Sequence, residues 1–257
     1  PETFAFAWSA ALRSDVPLNP VTGAEGRVFC STASYFGSGE QFFALDARDG
    51  HVMWSKSYAA FSVNPPACAN GNAYIQTGNH ASDTWLHAYD AATGRLVYSA
   101  PHGAQWEHYF APTPFDGKIY LNGGTYGGMY SFDALSGGQN WFLPLPQYDE
   151  WTPAVDSSFV YAYVGEYNPG LYVARRANAE QVFMIPDINF EWDGWSMRLA
   201  PVLGGHDDLI VIHDGRLIRF DLAGRTIAWQ LQRNFQGQPS VAQDRIYAND
   251  GGRLVVL

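Results

Sequence analysis

The sequence predicts an all-β protein built from repeated four-stranded units, and three observations support that prediction. An 11-residue frame recurs along the chain, and each unit around it contains four short β-rich runs. Turn residues separate these runs at the short, regular spacing that is typical of all-β folds. No window of the sequence shows a convincing helical period of apolar residues, so we expect little helix.

The frame places a small residue, an acid, a glycine and an aromatic residue at its positions 1, 3, 7 and 11. It reads ALDARDGHVMW over residues 44–54, AYDAATGRLVY over 88–98 and SFDALSGGQNW over 131–141. A fourth copy, RFDLAGRTIAW over residues 219–229, has its glycine one position early. Because the copies share spacing and residue type, we interpret them as one structural unit repeated along the chain.

Two further copies depart from the frame. The acids of the third and fourth copies lie 88 residues apart, which leaves room for one degenerate copy between them. That copy is ARRANAEQVFM over residues 174–184, with Arg176 in place of the acid and Met184 in place of the aromatic residue. A sixth, partial copy ends the sequence as RLVVL over residues 253–257.

Each position of the frame has a physical reason. The acid can accept hydrogen bonds from backbone N–H groups of the turn that follows it, and the glycine can adopt the left-handed conformation at the end of that turn. The small residue makes room for the aromatic ring, which packs between neighbouring units and buries a large apolar area. The residues assigned to this docking role are Asp46, Gly50, Trp54, Asp90, Gly94, Tyr98, Asp133, Gly137, Trp141, Asp221 and Trp229.

A four-stranded unit of this length cannot bury its faces alone, whereas units arranged radially bury them against each other. We therefore predict that residues 1–257 form one β-propeller domain of four-stranded antiparallel blades. The predicted blades are approximately 16–58, 59–103, 104–146, 147–188, 189–233, and 234–257 together with 1–12. In this arrangement an N-terminal strand that ends in Trp8 completes the sixth blade; the alternative is a longer propeller of seven or eight blades.

The frame resembles the tryptophan-docking motif of the pyrroloquinoline-quinone (PQQ)-like propeller repeats. That family includes the quinoprotein alcohol dehydrogenases and the outer-membrane assembly lipoprotein of Gram-negative bacteria, and the resemblance extends over residues 16–257. It is closer to the non-enzymatic exported members, since the adjacent cysteines that contact the quinone in the dehydrogenases have no counterpart here. The resemblance implies a periplasmic, extracellular or cell-surface protein, although no signal peptide is present in this sequence.

Composition excludes some partners. The formal net charge is −10, with 15 basic and 25 acidic residues and no basic cluster, which argues against nucleic-acid binding. No apolar run is long enough for a transmembrane helix. The two cysteines, Cys30 and Cys68, fall in predicted strands of successive units, so both a disulfide and two free thiols are compatible with the sequence.

The loops that enter the innermost strands are expected to ring one mouth of the central channel. Three successive loops combine aromatic with ionisable residues, as pockets for organic ligands do. The alternative is that these aromatic rings pack between blades and the acids are solvated. The candidate ligand-binding residues are Trp106, Glu107, His108, Tyr109, Tyr148, Glu150, Trp151, Trp192, Asp193, Trp195 and Arg198.

These residues lead to three functional hypotheses. The favoured one is a non-catalytic scaffold that presents the mouth to a protein partner or an oligosaccharide, without a cofactor or a metal. The second is a carbohydrate-active enzyme of lyase or glycosidase type, with His108, Asp149 and Glu150 as acid–base candidates and Arg198 opposite a substrate carboxylate. The third is a PQQ-dependent dehydrogenase. His80 and His213 belong to different units without a helical pairing, so no metal site is predicted.

Overall fold

The computed structural model is an arc of antiparallel β-sheets. It describes residues 6–12, 16–33, 39–60, 62–78, 84–104, 110–123, 127–145, 151–165, 168–192 and 200–257, and these contain no α-helix. None of the described residues forms a helix long and apolar enough to cross a membrane. The all-β prediction is confirmed.

The chain forms short strands that follow the turn signals of the sequence. In chain order they are β1 (Thr22–Ala24), β2 (Arg27–Ser31), β3 (Glu40–Asp46), β4 (Val52–Tyr58), β5 (Ser62–Val63), β6 (Ala67–Ala69), β7 (Asn72–Gly78), β8 (Thr84–Asp90), β9 (Leu96–His102), β10 (Thr113–Phe115), β11 (Lys118–Asn122), β12 (Gly128–Asp133), β13 (Gln139–Pro144), β14 (Ala154–Val155), β15 (Phe159–Val164), β16 (Gly170–Arg175), β17 (Gln181–Pro186), β18 (Val202–Leu203), β19 (Asp208–His213), β20 (Gly215–Asp221), β21 (Thr226–Ala242), β22 (Arg245–Asp250) and β23 (Arg253–Val256).

These strands pair in chain order into sheets. Blade 1 comprises β1–β4, blade 2 β5–β9, blade 3 β10–β13 and blade 4 β14–β17. In blade 2 the innermost strand is split into β5 and β6, which both pair with β7. The innermost strands follow one another around a common axis, since β1 contacts β6, β6 contacts β10, β10 contacts β14 and β14 contacts β18. This radial order of small sheets is that of a β-propeller.

The last sheet differs from the other blades. Strands β18–β23 form one six-stranded sheet, here called the terminal sheet. Its strand β21 runs without interruption for 17 residues, so the strands expected in a separate sixth blade continue from the outer edge of the fifth. The count of six blades is therefore not confirmed. Residues 6–12, expected to complete the sixth blade, form no strand.

The frame positions the contact between successive blades. Trp54 of β4 lies directly opposite Ala44 of β3, where the pairing register shifts, and its indole N–H donates to the carbonyl of Ala91 in blade 2 (3.0 Å). The ring packs on Gly94, where φ is +68° and a Cβ atom would lie 2.8 Å from the indole. A glycine is required here because any side chain would collide with the ring in an already unfavourable backbone conformation.

The same contact recurs around the arc. The indole N–H of Trp8 donates to the Ala47 carbonyl (2.9 Å), and that of Trp141 donates to the Arg176 carbonyl (3.1 Å). The acids stabilise the turns: Asp90 Oδ1 accepts from the N–H of Thr93 (2.8 Å), and Asp133 Oδ1 accepts from that of Ser136 (2.8 Å).

In blade 4 the structure corrects the expected alignment by one residue. Arg175, not Arg176, occupies the position of the acid, because its carbonyl accepts from the N–H of Ala179 at the end of the turn (2.9 Å). Phe183, not Met184, lies opposite the small-residue position, at Val173. In blade 4, where the acid and the tryptophan of the frame are missing, the turn between β16 and β17 therefore sets the register in which these two strands pair.

In the terminal sheet, Trp229 of β21 lies opposite Arg219 of β20, as the frame requires. It lines a cavity of about 400 Å³ together with Val241, Ile246 and Leu257. The two cysteines are free thiols; Cys30 is buried and Cys68 is half-buried. Burial raises the pKa of each to about 11.

Candidate functional site

Most of the residues predicted at the mouth lie outside the described part of the chain. These are Trp106, Glu107, His108, Tyr109, Tyr148, Asp149, Glu150, Asp193, Trp195 and Arg198. Their roles stay predictions, and so do the two enzymatic hypotheses that depend on them. Trp151 and Trp192 are described, and they differ in environment.

Trp151 is a core residue. Its side chain is completely buried, at 0% exposure, and packs in the cluster that includes Trp141, Tyr161 and Val164. This corrects the expectation that the Trp151 ring faces a ligand at the mouth, because a ring without exposed surface has no face to offer. The alternative weighed for these loops, aromatic packing between blades, describes Trp151.

Trp192 is 48% exposed and ends the segment 187–192, which follows β17. In the same segment Ile188 is 89% exposed, whereas Asp187 is fully buried. The segment thus turns one carboxylate inward and two large apolar side chains outward. Large exposed apolar side chains that lie close together are a feature of interaction surfaces.

Asp187 is the centre of a buried ion pair between blade 4 and the terminal sheet. Arg216 Nη1 and Nη2 donate to Asp187 Oδ1 (3.1 Å) and Oδ2 (3.0 Å). The Tyr163 hydroxyl of β15 also donates to Asp187 Oδ2 (2.6 Å), and Arg216 Nη1 donates to Gln230 Oε1 of β21 (3.1 Å). We call these four residues the charged junction. A bidentate guanidinium–carboxylate pair fixes both geometry and charge.

The protonation states of the charged junction follow from these contacts. Burial by itself would raise the pKa of Asp187, but the hydrogen bonds from Arg216 and Tyr163 outweigh it and lower that pKa below the usual value. Burial, together with the neighbouring Asp187 carboxylate, raises the pKa of Tyr163. Asp187 and Arg216 are therefore both charged near neutral pH. A general acid or base needs a pKa near the working pH, so this pair is suited to positioning rather than to proton transfer.

An aromatic stack supports the junction. The Phe190 ring lies on the imidazole of His213 (centroids 4.2 Å apart, planes at 21°), and Tyr163 meets both rings edge-on or tilted. His213 Nε2 lies 2.7 Å from the carbonyl oxygen of Glu191 and donates to it. His213 thus has a structural contact with the segment 187–192.

Above Arg216 lies a surface cavity of about 300 Å³. The described residues that line it are all of polar type, namely Asn189, Glu191, Asp214, Arg216, Gln230 and Gln232. Arg216 is the buried floor of the cavity, and the other five residues are exposed. Sequence reasoning missed this site. The available signals were an acid directly after the strand that ends at Pro186, and the arginine of the HDGR turn at 213–216.

A second polar cluster occupies the matching position between blades 2 and 3. The Gln76 side-chain amide donates to His102 Nε2 (3.0 Å) and to the Asn122 carbonyl (3.2 Å), and Thr84 lies opposite His102 in the sheet. We call these four residues the neutral junction. Burial lowers the pKa of His102 to about 4, so its imidazole is uncharged at neutral pH. Within the described part of the chain, Gln76 Oε1, Thr84 Oγ1 and both side-chain amide atoms of Asn122 have no hydrogen-bond partner.

One group of possible metal ligands lies in the frame turn of blade 1. Oxygen and nitrogen atoms of Asp46, Asp49 and His51 lie within 4.8 Å of one another. Asp46 already pairs with Arg48 (Oδ2 to Nη2, 2.6 Å), and Asp49 pairs with His51 (2.7 Å). These contacts stabilise the turn, and the group supports no metal centre by itself.

Comparison with known structures supports the fold. BamB from Moraxella catarrhalis superposes with a TM-score of 0.71 and 19% identity, over 98% of this chain and 75% of that protein. A quinohemoprotein alcohol dehydrogenase from Pseudomonas putida HK5 gives a TM-score of 0.65 at 18% identity, over 89% of this chain and 44% of that one. The quinohemoprotein alcohol dehydrogenase from Comamonas testosteroni gives a TM-score of 0.65 at 13% identity, over 92% of this chain and 57% of that one. At these identities the likeness shows the propeller fold alone.

Sequence comparison goes further. No curated protein sequence matches the chain. The family model described as outer membrane protein assembly factor BamB matches residues 5–230, which is most of the chain. The resemblance to PQQ-like repeats is thereby confirmed, and this chain belongs to the BamB family of PQQ-like β-propellers.

Proposed function

We propose that the chain is a non-catalytic binding propeller that serves the assembly of outer-membrane proteins, on the exported side of the cell. Membership of the assembly-factor family supports this role. In this proposal the partner is a protein, and it contacts the end of the propeller at which the segment 187–192 is exposed.

The observation that carries the proposal is the outward-facing pair of Ile188 and Trp192 beside the polar cavity. The two side chains are 89% and 48% exposed, whereas the other large apolar residues described in blade 4 are buried or partly buried. Tryptophan is enriched among the residues that dominate protein–protein affinity, and a polar rim around an apolar centre is usual at such interfaces. The charged junction below holds the segment at Asp187, so little ordering is needed on binding.

Site-specific photocrosslinking tests this proposal in the protein's own cells. A benzoylphenylalanine placed at position 188 or 192 of the full-length protein should crosslink to a component of outer-membrane protein assembly, identified by mass spectrometry. The matched control is Leu96, which is also exposed (48%) but lies at the opposite end of the blades, at the start of β9. Crosslinking to the same assembly component with equal yield from positions 188, 192 and 96 would contradict the proposed interface. Turnover of an oligosaccharide by the purified protein would contradict the non-catalytic assignment.

A further inference from the structure

From the cavity above Arg216 we infer a subsite for a basic side chain, the ammonium or guanidinium group of a lysine or arginine in an extended segment of the partner. This inference rests on the proposed function and names the chemistry of its partner. Two observations support it: the negative charge of the cavity, and which of its polar groups are free to donate or to accept hydrogen bonds.

The charge of the cavity is negative. The positive charge of Arg216 is already balanced by Asp187, which receives two hydrogen bonds from the guanidinium. Among the described residues of the lining, the remaining charged side chains are Glu191 and Asp214, and both are exposed. The whole chain carries a formal charge of −10, so the long-range field also attracts a basic segment. An anionic ligand would meet two carboxylates.

The hydrogen-bonding groups suit a peptide better than a bare cation. Gln230 accepts from Arg216 with its oxygen, so its amide N–H groups are left to donate. Gln232 donates to the Asp214 carbonyl (3.1 Å), so its oxygen is left to accept. Arg216 is only 5% exposed and its Nε–H is buried, so the donors open to a ligand here are the amide N–H groups of Gln230. A basic residue of a peptide brings a cation for the carboxylates and a main-chain carbonyl for these donors.

The cavity wall is held in place before any ligand arrives. The Glu191 carbonyl accepts from His213, whose ring stacks on Phe190. Asp214 has a left-handed backbone (φ +49°) in the tight turn between β19 and β20. Both carboxylates thus belong to backbone that other contacts fix, which lowers the entropic cost of binding. Ile188 and Trp192 lie in the same segment and would extend the contact along the peptide.

A titration with small peptide analogues tests the subsite directly. The full chain is titrated with Nα-acetyl-arginine methylamide and Nα-acetyl-lysine methylamide, and binding is followed by calorimetry or by NMR shifts. Nα-acetyl-citrulline methylamide is the neutral control for arginine, and methyl glucoside represents a saccharide. We expect citrulline to bind at least tenfold more weakly than arginine, and arginine affinity to fall at higher salt.

Matched variants locate the binding. Glu191→Gln and Asp214→Asn should each weaken arginine binding several-fold. The control is Asp207→Asn, because Asp207 flanks the other end of β19 with nearly the same backbone conformation (φ +50°) and loses the same charge. Arginine and citrulline binding equally well, an equal loss in Asp207→Asn, or tighter binding of the glucoside would each overturn the inference.

The two proposals fail in different ways. If crosslinks from position 192 reach an assembly protein while the arginine analogue does not bind, the interface stands and only the basic subsite is wrong. If the analogue binds as expected but no partner is crosslinked, the subsite stands and the proposed assembly function is wrong.

Discussion

The charged and neutral junctions occupy equivalent positions in two blades and are built from opposite chemistry. Tyr163 and Gln76 each lie in the second strand of their blade, and Asp187 and His102 each lie four residues after the ring that faces the next blade. In blade 4 the pair is a phenol and a carboxylate, completed by Arg216. In blade 2 the corresponding pair is the side-chain amide of Gln76 and the imidazole of His102, and the same amide also donates to the main-chain carbonyl of Asn122.

The difference shows that equivalent positions between blades can hold either a buried ion pair or a cluster of uncharged polar side chains. In the charged junction both oxygens of Asp187 are bonded, so the cost of burying the ions is offset by close pairing. In the neutral junction no ion is buried, and several polar atoms on Gln76, Thr84 and Asn122 are left without partners among the described residues. We therefore expect the charged junction to be sensitive to the loss of one partner and the neutral junction to be sensitive to pH.

The largest expected effect is the loss of Asp187. Asp187→Ala leaves the Arg216 guanidinium buried and unpaired, which should destabilise the protein by about 3–5 kcal/mol. Urea unfolding at pH 7 measures this change. The double variant Asp187→Leu with Arg216→Met removes both charges and should recover most of the stability. A loss below about 1 kcal/mol in the single variant would show that the ion pair is not desolvated.

The neutral junction should respond to acid through His102. Its pKa is about 4 in the folded protein and about 6.5 when unfolded, so the unfolded state binds the proton first as the pH falls. The free energy of unfolding should drop by about 3 kcal/mol between pH 6.5 and pH 4 from this residue, and be fully restored above pH 6.5.

His102→Gln should lack this part of the pH dependence. Burial also lowers the pKa of His87 to about 4, and the charge of His87 itself lowers the pKa of His102, so the double variant His87→Gln, His102→Gln is compared with His87→Gln to isolate His102. Urea unfolding across the range measures both curves. Identical slopes would mean that His102 is accessible to solvent and that the neutral junction is not sealed.

A smaller effect is expected from Tyr163→Phe. The substitution keeps the ring in its aromatic stack but removes the hydroxyl that donates to Asp187 at 2.6 Å. Hydrogen bonds to a charged group contribute about 1.5–3 kcal/mol, so unfolding at pH 7 should lose an amount in that range. An unchanged stability would show that Arg216 alone satisfies the carboxylate.

The smallest effect is expected at Asn122, on the neutral side. Its side-chain amide has no partner among the described residues, so Asn122→Leu, which keeps the branched shape and the number of side-chain heavy atoms, should change the free energy of unfolding by less than about 1 kcal/mol. Thermal and urea unfolding measure it against the wild type. A loss above about 2 kcal/mol would show that the amide is satisfied in solution and that both junctions have paired polar groups.

The repeat predicts much of this molecule because its signals are local. The pairing of Trp54 with Ala44, the turn at Asp90 and the glycine at position 94 all follow from residues within one 11-residue frame. Blade 4 marks the limit of that reasoning. Without the acid and the tryptophan, the alignment shifts by one residue to Arg175 and Phe183, as the turn hydrogen bond and the strand pairing show.

The sequence by itself determined the all-β class, the repeated blades and the residues that make the docking contacts, because strands and turns depend on near neighbours and the contacts recur with the period of the repeat. Tertiary structure alone decided the continuous strand β21, the burial of Trp151 and the cavity above Arg216. Asp187 and Arg216 are 29 positions apart and belong to different sheets, so no period or motif links them. Their pairing depends on how two blades pack, which is a property of the assembled propeller.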